Sequence, residues 1–211
     1  MTTVTADLAR AAGGRLAAAS ARLAANGWMR GTSGNLSEVL EQTPLALAVT
    51  SSGVDKGDLD PADVVVVDER GEVLAVDGLE ARTPSAEAGL HARIAAVTGA
   101  GAVVHVHALS AVVAADRWPA GVALRDVEML KGIGRDAHDD LVTVPVVANS
   151  QDMVELGDRF VDVRDPAVPA IIVADHGMYV WGDDLTQARH YTESLEWLLA
   201  HAIATNQRET S

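Results

Sequence analysis

Two histidines separated by one residue, His105 and His107, carry the strongest chemical signal in the sequence. They lie at the end of an apolar run that begins at Ala102, and such a run predicts a buried strand. Because side chains alternate faces along a strand, both imidazoles point the same way, roughly 6 to 7 Å apart. Neutral imidazoles so placed can bind one Zn²⁺, Fe²⁺, Mn²⁺ or Co²⁺ ion. An isolated pair is equally compatible with two polar residues bonded to backbone, so the interpretation depends on the remaining residues.

His176 is the natural third ligand. It follows the apolar run 170–174 and precedes Gly177, which predicts a position at the end of a strand where backbone can approach closely. Three protein ligands leave coordination positions open for substrate oxygens, as a catalytic metal site requires. The alternative is three unrelated histidines. The remaining histidines are interpreted as surface or helix residues: His91, His138, His190 and His201.

Two turns rich in Ser and Gly, each beside a predicted strand, are candidate phosphate-binding segments. They contain Ser33-Gly34-Asn35 and Ser51-Ser52-Gly53. Hydroxyls and exposed backbone N–H groups in such turns can hold a phosphate. Ser85 at a helix start adds N–H donors and the helix dipole, and Lys56 adds charge. Each signal alone is also typical of an ordinary turn.

Two carboxylates are candidates for proton transfer next to a metal-bound ketone. Glu87 lies in the first turn of a predicted helix, where a carboxylate also simply stabilises the helix. Glu128 lies in a loop-helix region that has no evident structural need for it, although a solvated surface carboxylate is the alternative. Proton transfer at the carbon beside the ketone needs such a group. The residues alone leave open which one is close to the metal.

Hydrophobic periodicity predicts one α/β domain over residues 1–211, with a central, mixed or largely antiparallel sheet and helices on its faces. An Ala-rich helix is expected from 5 to 25, and the last helix at about 184–204. Residues 73–76 are predicted to return as a strand of a hairpin, and Pro145 indicates that the strand at 141–147 lies at an edge.

Composition limits the class of protein. The net charge of −14 argues against nucleic acid or an anionic membrane surface as the main partner. The chain has no Cys, which excludes disulfide and thiolate chemistry. The sequence has neither a signal-like start nor an uncharged apolar run of membrane-spanning length, so a cytoplasmic protein is expected.

Taken together, these motifs resemble the class II sugar-phosphate aldolase/epimerase family in order and spacing, over nearly the whole chain. The matching segments are Gly34-Asn35-Leu36-Ser37, Ser52-Gly53, Pro84-Ser85-Ala86-Glu87, His105-Val106-His107 and His176-Gly177. Further segments resemble a branch of the family whose members dehydrate a phosphorylated ketose in methionine salvage. Those segments are 50–57, 99–107, 128–132, 149–152 and 175–182.

The resemblance implies a three-layer α/β/α fold, a homotetramer and a phosphorylated ketose as substrate. It implies one Zn²⁺ per subunit at the positions of His105, His107 and His176. In the aldolases the residue at the position of Glu87 is the catalytic base, whereas in the dehydratase branch the residue at Glu128 is the expected acid/base. This chain has both, and Glu128 is favoured here with Glu87 second.

Three functions are therefore considered. The first is a zinc-dependent hydro-lyase, in which a Glu removes the C3 proton and the C4 hydroxyl leaves as water. The second is an aldolase or epimerase that acts on the C3–C4 bond through the same metal-bound enediolate. The third is a non-catalytic oligomerisation module of the same fold, for which the retention of His105, His107 and His176 has no explanation.

Overall fold

Seven strands form one mixed sheet at the centre of the computed structural model, which describes residues 3–135 and 140–206. The helices are α1 (Ala6–Ala25), α2 (Ala88–Thr98), α3 (Leu109–Arg117), α4 (Met153–Val163) and α5 (Leu185–Asn206), with a short 3-10 helix at Glu128–Ile133. The strands are β1 (Asn35–Gln42), β2 (Leu45–Thr50), β3 (Val64–Val67), β4 (Ala102–Val106), β5 (Val122–Leu124), β6 (Val142–Val144), β7 (Val146–Val147), β8 (Ala170–Val173) and β9 (Gly177–Gly182).

The main sheet has the order β3-β2-β1-β4-β9-β8-β7, and β5 pairs with β6 in a separate two-stranded sheet. All neighbours in the main sheet are antiparallel except β7 and β8. The predicted mixed, largely antiparallel sheet is therefore confirmed. Strand β4 lies at its centre, so the residues that leave its C-terminal end are held by paired strands on both sides.

Helices cover both faces of the sheet, which confirms the three-layer α/β/α architecture. Helices α1, α3 and α5 pack on the face that presents Leu36, Val104 and Met178. Helices α2 and α4 pack on the opposite face, which presents Val103 and Tyr179. Because strand side chains alternate, His105 lies on the face covered by α2 and α4.

Two local predictions had different outcomes. The returning strand at 73–76 is wrong: only one isolated bridge, between Val67 and Val73, forms there. The single strand predicted at 141–147 is wrong, because Pro145 separates two short strands, β6 and β7, that lie in different sheets. The edge position that Pro145 indicated is confirmed, because β7 is an edge strand of the main sheet. Proline lacks the N–H that a continuous ladder needs at that point. No helix within the described ranges is both long enough and apolar enough to cross a lipid bilayer.

Candidate metal centre and substrate pocket

Three histidine rings converge at one end of the two central strands. His105 is in β4, His107 follows it, and His176 lies in the turn between β8 and β9. The antiparallel pairing of β4 with β9 brings this turn beside the end of β4. The ring centroids are 4.7 to 4.8 Å apart in all three pairs, and one ligand atom from each residue lies within 4.8 Å of the others. The predicted grouping of the three histidines therefore exists in the fold.

The tautomer of His105 is fixed by its backbone partner. Its Nδ1 lies 3.0 Å from the carbonyl oxygen of Met178, and a carbonyl only accepts, so Nδ1 carries the proton. Nε2 therefore carries the lone pair, and it lies 3.0 Å from Nε2 of His107. Burial lowers the pKa of His105 to about 3, so the ring is neutral at physiological pH. A neutral, oriented imidazole is the form that binds a metal ion.

The backbone around His176 explains why glycine follows it. A Cβ on Gly177 would collide with the carbonyl of Val106, so only glycine lets β9 begin this close to β4. On the other side, Asp175 has φ of 57°, a left-handed conformation that Asp tolerates better than most residues. Together the two positions turn His176 back toward the end of β4.

The carboxylate of Glu87 lies beside the three histidines and contacts two of them. One carboxylate oxygen lies 3.0 Å from Nε2 of His176, and the other lies 3.5 Å from Nε2 of His105. The side-chain amide of Asn35 donates to the same carboxylate. Burial alone would raise the pKa of Glu87, but the attraction of His105 and the hydrogen bonds from His176 and Asn35 outweigh it. The pKa therefore lies well below its ordinary range, and Glu87 is a carboxylate at neutral pH.

This donor set fits a divalent metal ion. Two nitrogens bound to one Zn²⁺ at about 2.0–2.1 Å lie about 3.3 Å apart in a tetrahedral site, close to the 3.0 Å between Nε2 of His105 and His107. Three imidazoles with a carboxylate beside them match both a three-His site with an open position and a site with a fourth oxygen ligand.

A pocket of about 320 Å³ opens in front of the cluster. It is lined by the candidate phosphate residues, the cluster and a segment at the start of α4: Thr32, Ser33, Gly34, Asn35, Ser51, Ser52, Lys56, Ser85, Ala86, Glu87, His107, Asn149, Ser150, Gln151, Met153 and His176. The two Ser/Gly turns, the start of α2 and two of the three histidines therefore share one cavity. His105 lies immediately behind His107, fully buried.

The turn residues offer donors for an anion. The hydroxyl of Ser51 lines the pocket, is buried and has no hydrogen-bond partner among the described residues. Gly34, with φ of 79°, passes so close to the carbonyl of His105 that a Cβ would lie 2.9 Å from it. Lys56 is 1% exposed, and its Nζ donates to the carbonyl oxygen of Val54 at 2.8 Å. Burial lowers the pKa of this lysine.

Two predicted site residues do not line this pocket. Gly53 adjoins Ser52 but is absent from the lining. Glu128 begins the 3-10 helix, has a side chain 72% exposed, and pairs with Lys131 at 2.6 Å. It lines a different cavity, beside Met129 and the α5 residues Trp197 and His201. Within one chain, therefore, the carboxylate next to the histidines is Glu87.

Sequence reasoning missed two groups behind Glu87. His91 is in a helix as predicted, but it is fully buried rather than at the surface. Tyr179, which was not singled out, stacks on His105 with ring centroids 4.0 Å apart. The signal for His91 was its spacing, because residues i and i+4 of a helix share a face and His91 follows Glu87 by four positions. His138 lies outside the described residues.

The burial of His91 predicts acid sensitivity. Burial lowers the pKa of His91 to about 4, against the opposing attraction of Glu87, whereas the unfolded chain has the ordinary value of 6.5. The contribution to the free energy of unfolding is complete above pH 6.5 and is lost as the pH falls toward 4, by about 3 kcal/mol. The titratable groups that face this ring are Glu87 and Tyr179, and the Ser37 hydroxyl lies 2.8 Å from its Nδ1.

Urea unfolding of the metal-free protein between pH 4 and 7 measures this loss. The His91→Gln variant, which cannot titrate there, is expected to lose less stability over the same range. His91→Asn serves as a second variant because its amide retains a polar group near Ser37. Identical pH dependence in all three proteins would contradict the assignment.

The site and the fold now define the class of protein. The family described as Class II Aldolase and Adducin N-terminal domain matches residues 14–203. This chain belongs to the class II aldolase family. The solved L-fuculose-1-phosphate aldolase of Thermus thermophilus superimposes with a TM-score of 0.74, covering 96% of this chain and 99% of that one. At 22% identity that likeness shows the fold alone.

Curated relatives are more similar in sequence. A protein of Alcanivorax borkumensis named methylthioribulose-1-phosphate dehydratase is 39% identical over 207 residues, which are 94% of this chain and 92% of the relative. A protein of the same name from Persephonella marina is 34% identical over 180 residues, 83% of this chain and 81% of the relative. The resemblance to the dehydratase branch is thereby confirmed.

Proposed function

We propose that this chain is a hydro-lyase that converts 5-methylthioribulose 1-phosphate to 2,3-diketo-5-methylthiopentyl 1-phosphate in methionine salvage. The observation that carries the proposal is the contact of Glu87 with His105 and His176, at 3.5 and 3.0 Å, on the wall of a pocket that also contains the Ser/Gly turns. The named relatives support the identity of the substrate.

His105, His107 and His176 are proposed to hold Zn²⁺. When bound, the ion would supply Lewis acidity toward the ketone and C3 hydroxyl oxygens, which acidifies the C3 proton. The donor set supports this choice because His105 is oriented by Met178 and is neutral. Zinc favours such nitrogen ligands and tolerates an open position.

Glu87 is proposed to accept the C3 proton. It is ionised, and Asn35 holds one carboxylate oxygen while His176 holds the other. A fixed carboxylate on one side of the substrate needs little reorganisation when the proton moves. The C4–O bond then breaks, the C4 hydroxyl leaves as water with one added proton, and the remaining enol tautomerises to the diketone.

The Ser/Gly turns are proposed to hold the phosphate, through Ser33, Gly34, Asn35, Ser52, Lys56 and Ser85, while Gly53 shapes the second turn from outside the pocket lining. The buried, unpartnered hydroxyl of Ser51 beside them supports an anion at this end of the pocket. A phosphate bound there would fix the position of C3 relative to Glu87. The phosphate contacts, which are remote from the reacting carbon, would thereby orient C3 for proton transfer.

Glu128 is proposed to donate the proton to the leaving C4 hydroxyl from a second copy of the chain, because within one chain it lines a separate cavity. This requires an oligomer, and a homotetramer is proposed. The exposed apolar side chains Met129 and Trp197 beside Glu128 support burial of this surface between subunits. A cytoplasmic location is proposed as well, in keeping with a chain that has no Cys.

The decisive assay is ultraviolet detection of the diketone or its enol after the zinc-loaded protein is mixed with methylthioribulose 1-phosphate. Release of dihydroxyacetone phosphate from fuculose or rhamnulose 1-phosphate, without dehydration, would identify an aldolase instead. If the purified protein contains no divalent metal and shows no activity after metal is added, the third function, a non-catalytic oligomerisation module, would be favoured.

The shared-site role of Glu128 makes a separate prediction. Glu128→Gln is expected to lower turnover about 100-fold or more with metal content unchanged, because proton donation to the leaving group is lost. Glu80→Gln is the matched control, since Glu80 is also exposed, also pairs with a nearby cation, Arg82 at 3.4 Å, and does not line the pocket. Retained turnover in Glu128→Gln would remove this residue from the mechanism.

Coexpression distinguishes the two possible locations of Glu128. If each site combines histidines of one subunit with Glu128 of another, tetramers that mix Glu128→Gln with His107→Ala subunits contain some intact sites. About a quarter of wild-type activity is expected for random mixing of two otherwise inactive variants. If the mixed protein stays inactive, Glu128 acts within its own chain and the proposed arrangement is wrong.

A further inference from the structure

An ion pair lies beside the second Ser/Gly turn, residues 51–53, but outside the substrate pocket. Arg82 precedes the segment that contains Ser85 and Glu87, and Asp63 lies directly before β3. A guanidinium nitrogen of Arg82, Nη1, lies 2.8 Å from a carboxylate oxygen of Asp63. The side chain of Asp63 is 9% exposed and that of Arg82 is 30% exposed, so the contact is largely shielded from water. Neither residue lines the pocket.

Both partners of this ion pair are linked to the backbone of the second Ser/Gly turn. The N–H of Ser51 donates to the carbonyl oxygen of Asp63 at 3.0 Å. The N–H of Ser52 donates at 2.9 Å to the carbonyl oxygen of Thr83, the residue after Arg82. The turn is therefore held between two segments of the chain, and the contact of Arg82 with Asp63 joins those segments.

The carboxylate of Asp63 has a second donor. Its other oxygen accepts the backbone N–H of Asp60 at 2.8 Å, which fixes its orientation. The other terminal nitrogen of the guanidinium of Arg82, Nη2, lies 3.4 Å from a carboxylate oxygen of Glu80, which is exposed. Loss of an exposed pair costs little, whereas loss of the pair with Asp63 leaves a carboxylate that has little access to water.

The two segments present hydroxyl groups to the pocket. Ser51 and Ser52 line it from the turn, and Ser85 lines it from the segment that follows Arg82. The hydroxyl of Ser51 is buried and has no hydrogen-bond partner among the described residues, so it is free to donate to a ligand. The hydroxyl of Ser85 accepts from the side-chain amide of Asn35 at 2.9 Å. The relative position of these hydroxyls depends on how the two segments are joined.

We propose that Arg82 and Asp63 are positioning residues for the phosphate site. Their ion pair sets the separation of the two segments that hold the turn, and so places the hydroxyls of Ser51 and Ser52 relative to that of Ser85. Neither charged group touches the substrate, because the pair acts through the backbone of the turn. Groups held in place before binding lose less freedom when the ligand arrives, which raises affinity. This inference rests on the proposed role of the Ser/Gly turns in holding the phosphate.

Hydrogen–deuterium exchange tests the structural link without any turnover. Arg82→Met removes the charge and keeps most of the aliphatic stem. The amides of Ser51 and Ser52 are expected to exchange at least about tenfold faster in this variant, because their acceptors on Asp63 and Thr83 are no longer joined. Exchange in β4 is expected to stay unchanged, which shows that the variant is folded. Unchanged exchange at the turn would overturn the proposal.

Kinetics of the metal-loaded enzyme test the link to substrate binding. In Arg82→Met, KM for 5-methylthioribulose 1-phosphate is expected to rise about 10-fold with kcat within about threefold, because binding weakens while the reacting groups remain. Asp63→Asn is expected to raise KM similarly, although its amide oxygen can still accept from the N–H of Asp60. Arg82→Lys restores the positive charge and is expected to recover most of the loss.

Two controls separate this role from a general loss of charge. Arg15→Met breaks a different ion pair, with Glu38 at 2.6 Å, away from the pocket. Glu80→Gln removes the exposed partner of Arg82. Both variants are expected to keep the wild-type KM. The double variant Arg82→Met/Asp63→Asn is expected to have no higher KM than the weaker single variant, because both changes break one contact. Effects on KM that multiply would contradict the proposal.

The two kinds of measurement separate failure of this inference from failure of the proposed function. Faster exchange with unchanged KM in Arg82→Met would show that the pair is only structural and overturn the proposal. If the wild type does not dehydrate the substrate, the proposed function fails, and calorimetric binding of inorganic phosphate replaces KM. A Kd raised about 10-fold in Arg82→Met and restored in Arg82→Lys would then support the positioning role. An unchanged Kd, or no binding by the wild type, would overturn it.

Discussion

Glu87→Gln is expected to lower turnover by about a thousandfold or more while the protein keeps its metal. The substitution leaves the shape of the side chain and removes the charge that would accept the C3 proton, and general-base catalysis contributes about 10²–10⁴-fold to rate. The three histidine nitrogens are unchanged, and His105 is still oriented by the carbonyl of Met178. Steady-state kinetics with metal analysis of the same sample measure both effects.

Two further variants separate charge from position at Glu87. Glu87→Asp keeps the charge but withdraws it by one methylene, so an intermediate loss is expected. Glu38→Gln is the control: Glu38 is a partly buried carboxylate that pairs with Arg15 at 2.6 Å, away from the pocket. Turnover near the wild-type value in Glu87→Gln would transfer the role of base to another group, with Glu128 the first to examine.

The sequence was sufficient to predict the parts of the site that depend on strand geometry. His105 and His107 had to share a face, and His176 had to lie at a strand end because an apolar run precedes it and glycine follows. The structure adds the reason for that glycine, which is the approach of the Val106 carbonyl. Local pattern and backbone sterics are therefore sufficient to predict the grouping of the three histidines.

Sequence alone could not say which candidate carboxylate lies beside the histidines. Glu87 and Glu128 were both candidates. The packing of α2 against β2 and β4, with the hydrogen bond from Asn35 of β1, brings Glu87 beside the histidines of the same chain. His91 was expected to be a surface or helix residue; it is in a helix, and its burial depends on the helix face that meets Tyr179. The position of Glu87 and the burial of His91 both depend on contacts between elements far apart in the chain, which a local sequence pattern does not predict.

The strand at 73–76 illustrates the same limit on the fold. The apolar run 73–76 after the turn at 69–72 is typical of a returning hairpin strand, but only the bridge between Val67 and Val73 forms. The glycine in that turn, Gly71, lies against Gly89 of α2, which occupies the adjoining space. The packing of a helix against this turn is a tertiary contact, so the hydrophobic pattern of residues 73–76 alone cannot predict it.

His107→Ala is expected to weaken metal binding more than about 100-fold and to abolish measurable turnover. The substitution removes one of three protein ligands, a larger change than the loss of an outer hydrogen bond, which already costs about 10-fold to 100-fold in metal affinity. His107 is preferable to His105 for this test. His105 is fully buried and stacked on Tyr179, so its removal would also leave a cavity in the core.

Metal affinity of the variant is measured by competition with a chelator, and folding is checked by thermal unfolding without metal. The matched control is His190→Ala, because His190 is an exposed histidine of α5 that does not line the pocket. Metal stabilises the folded state in proportion to its binding, so added zinc should raise the Tm of the wild type and of His190→Ala but not of His107→Ala. Equal stabilisation of all three proteins would mean that the metal binds elsewhere and that the three-histidine cluster is structural.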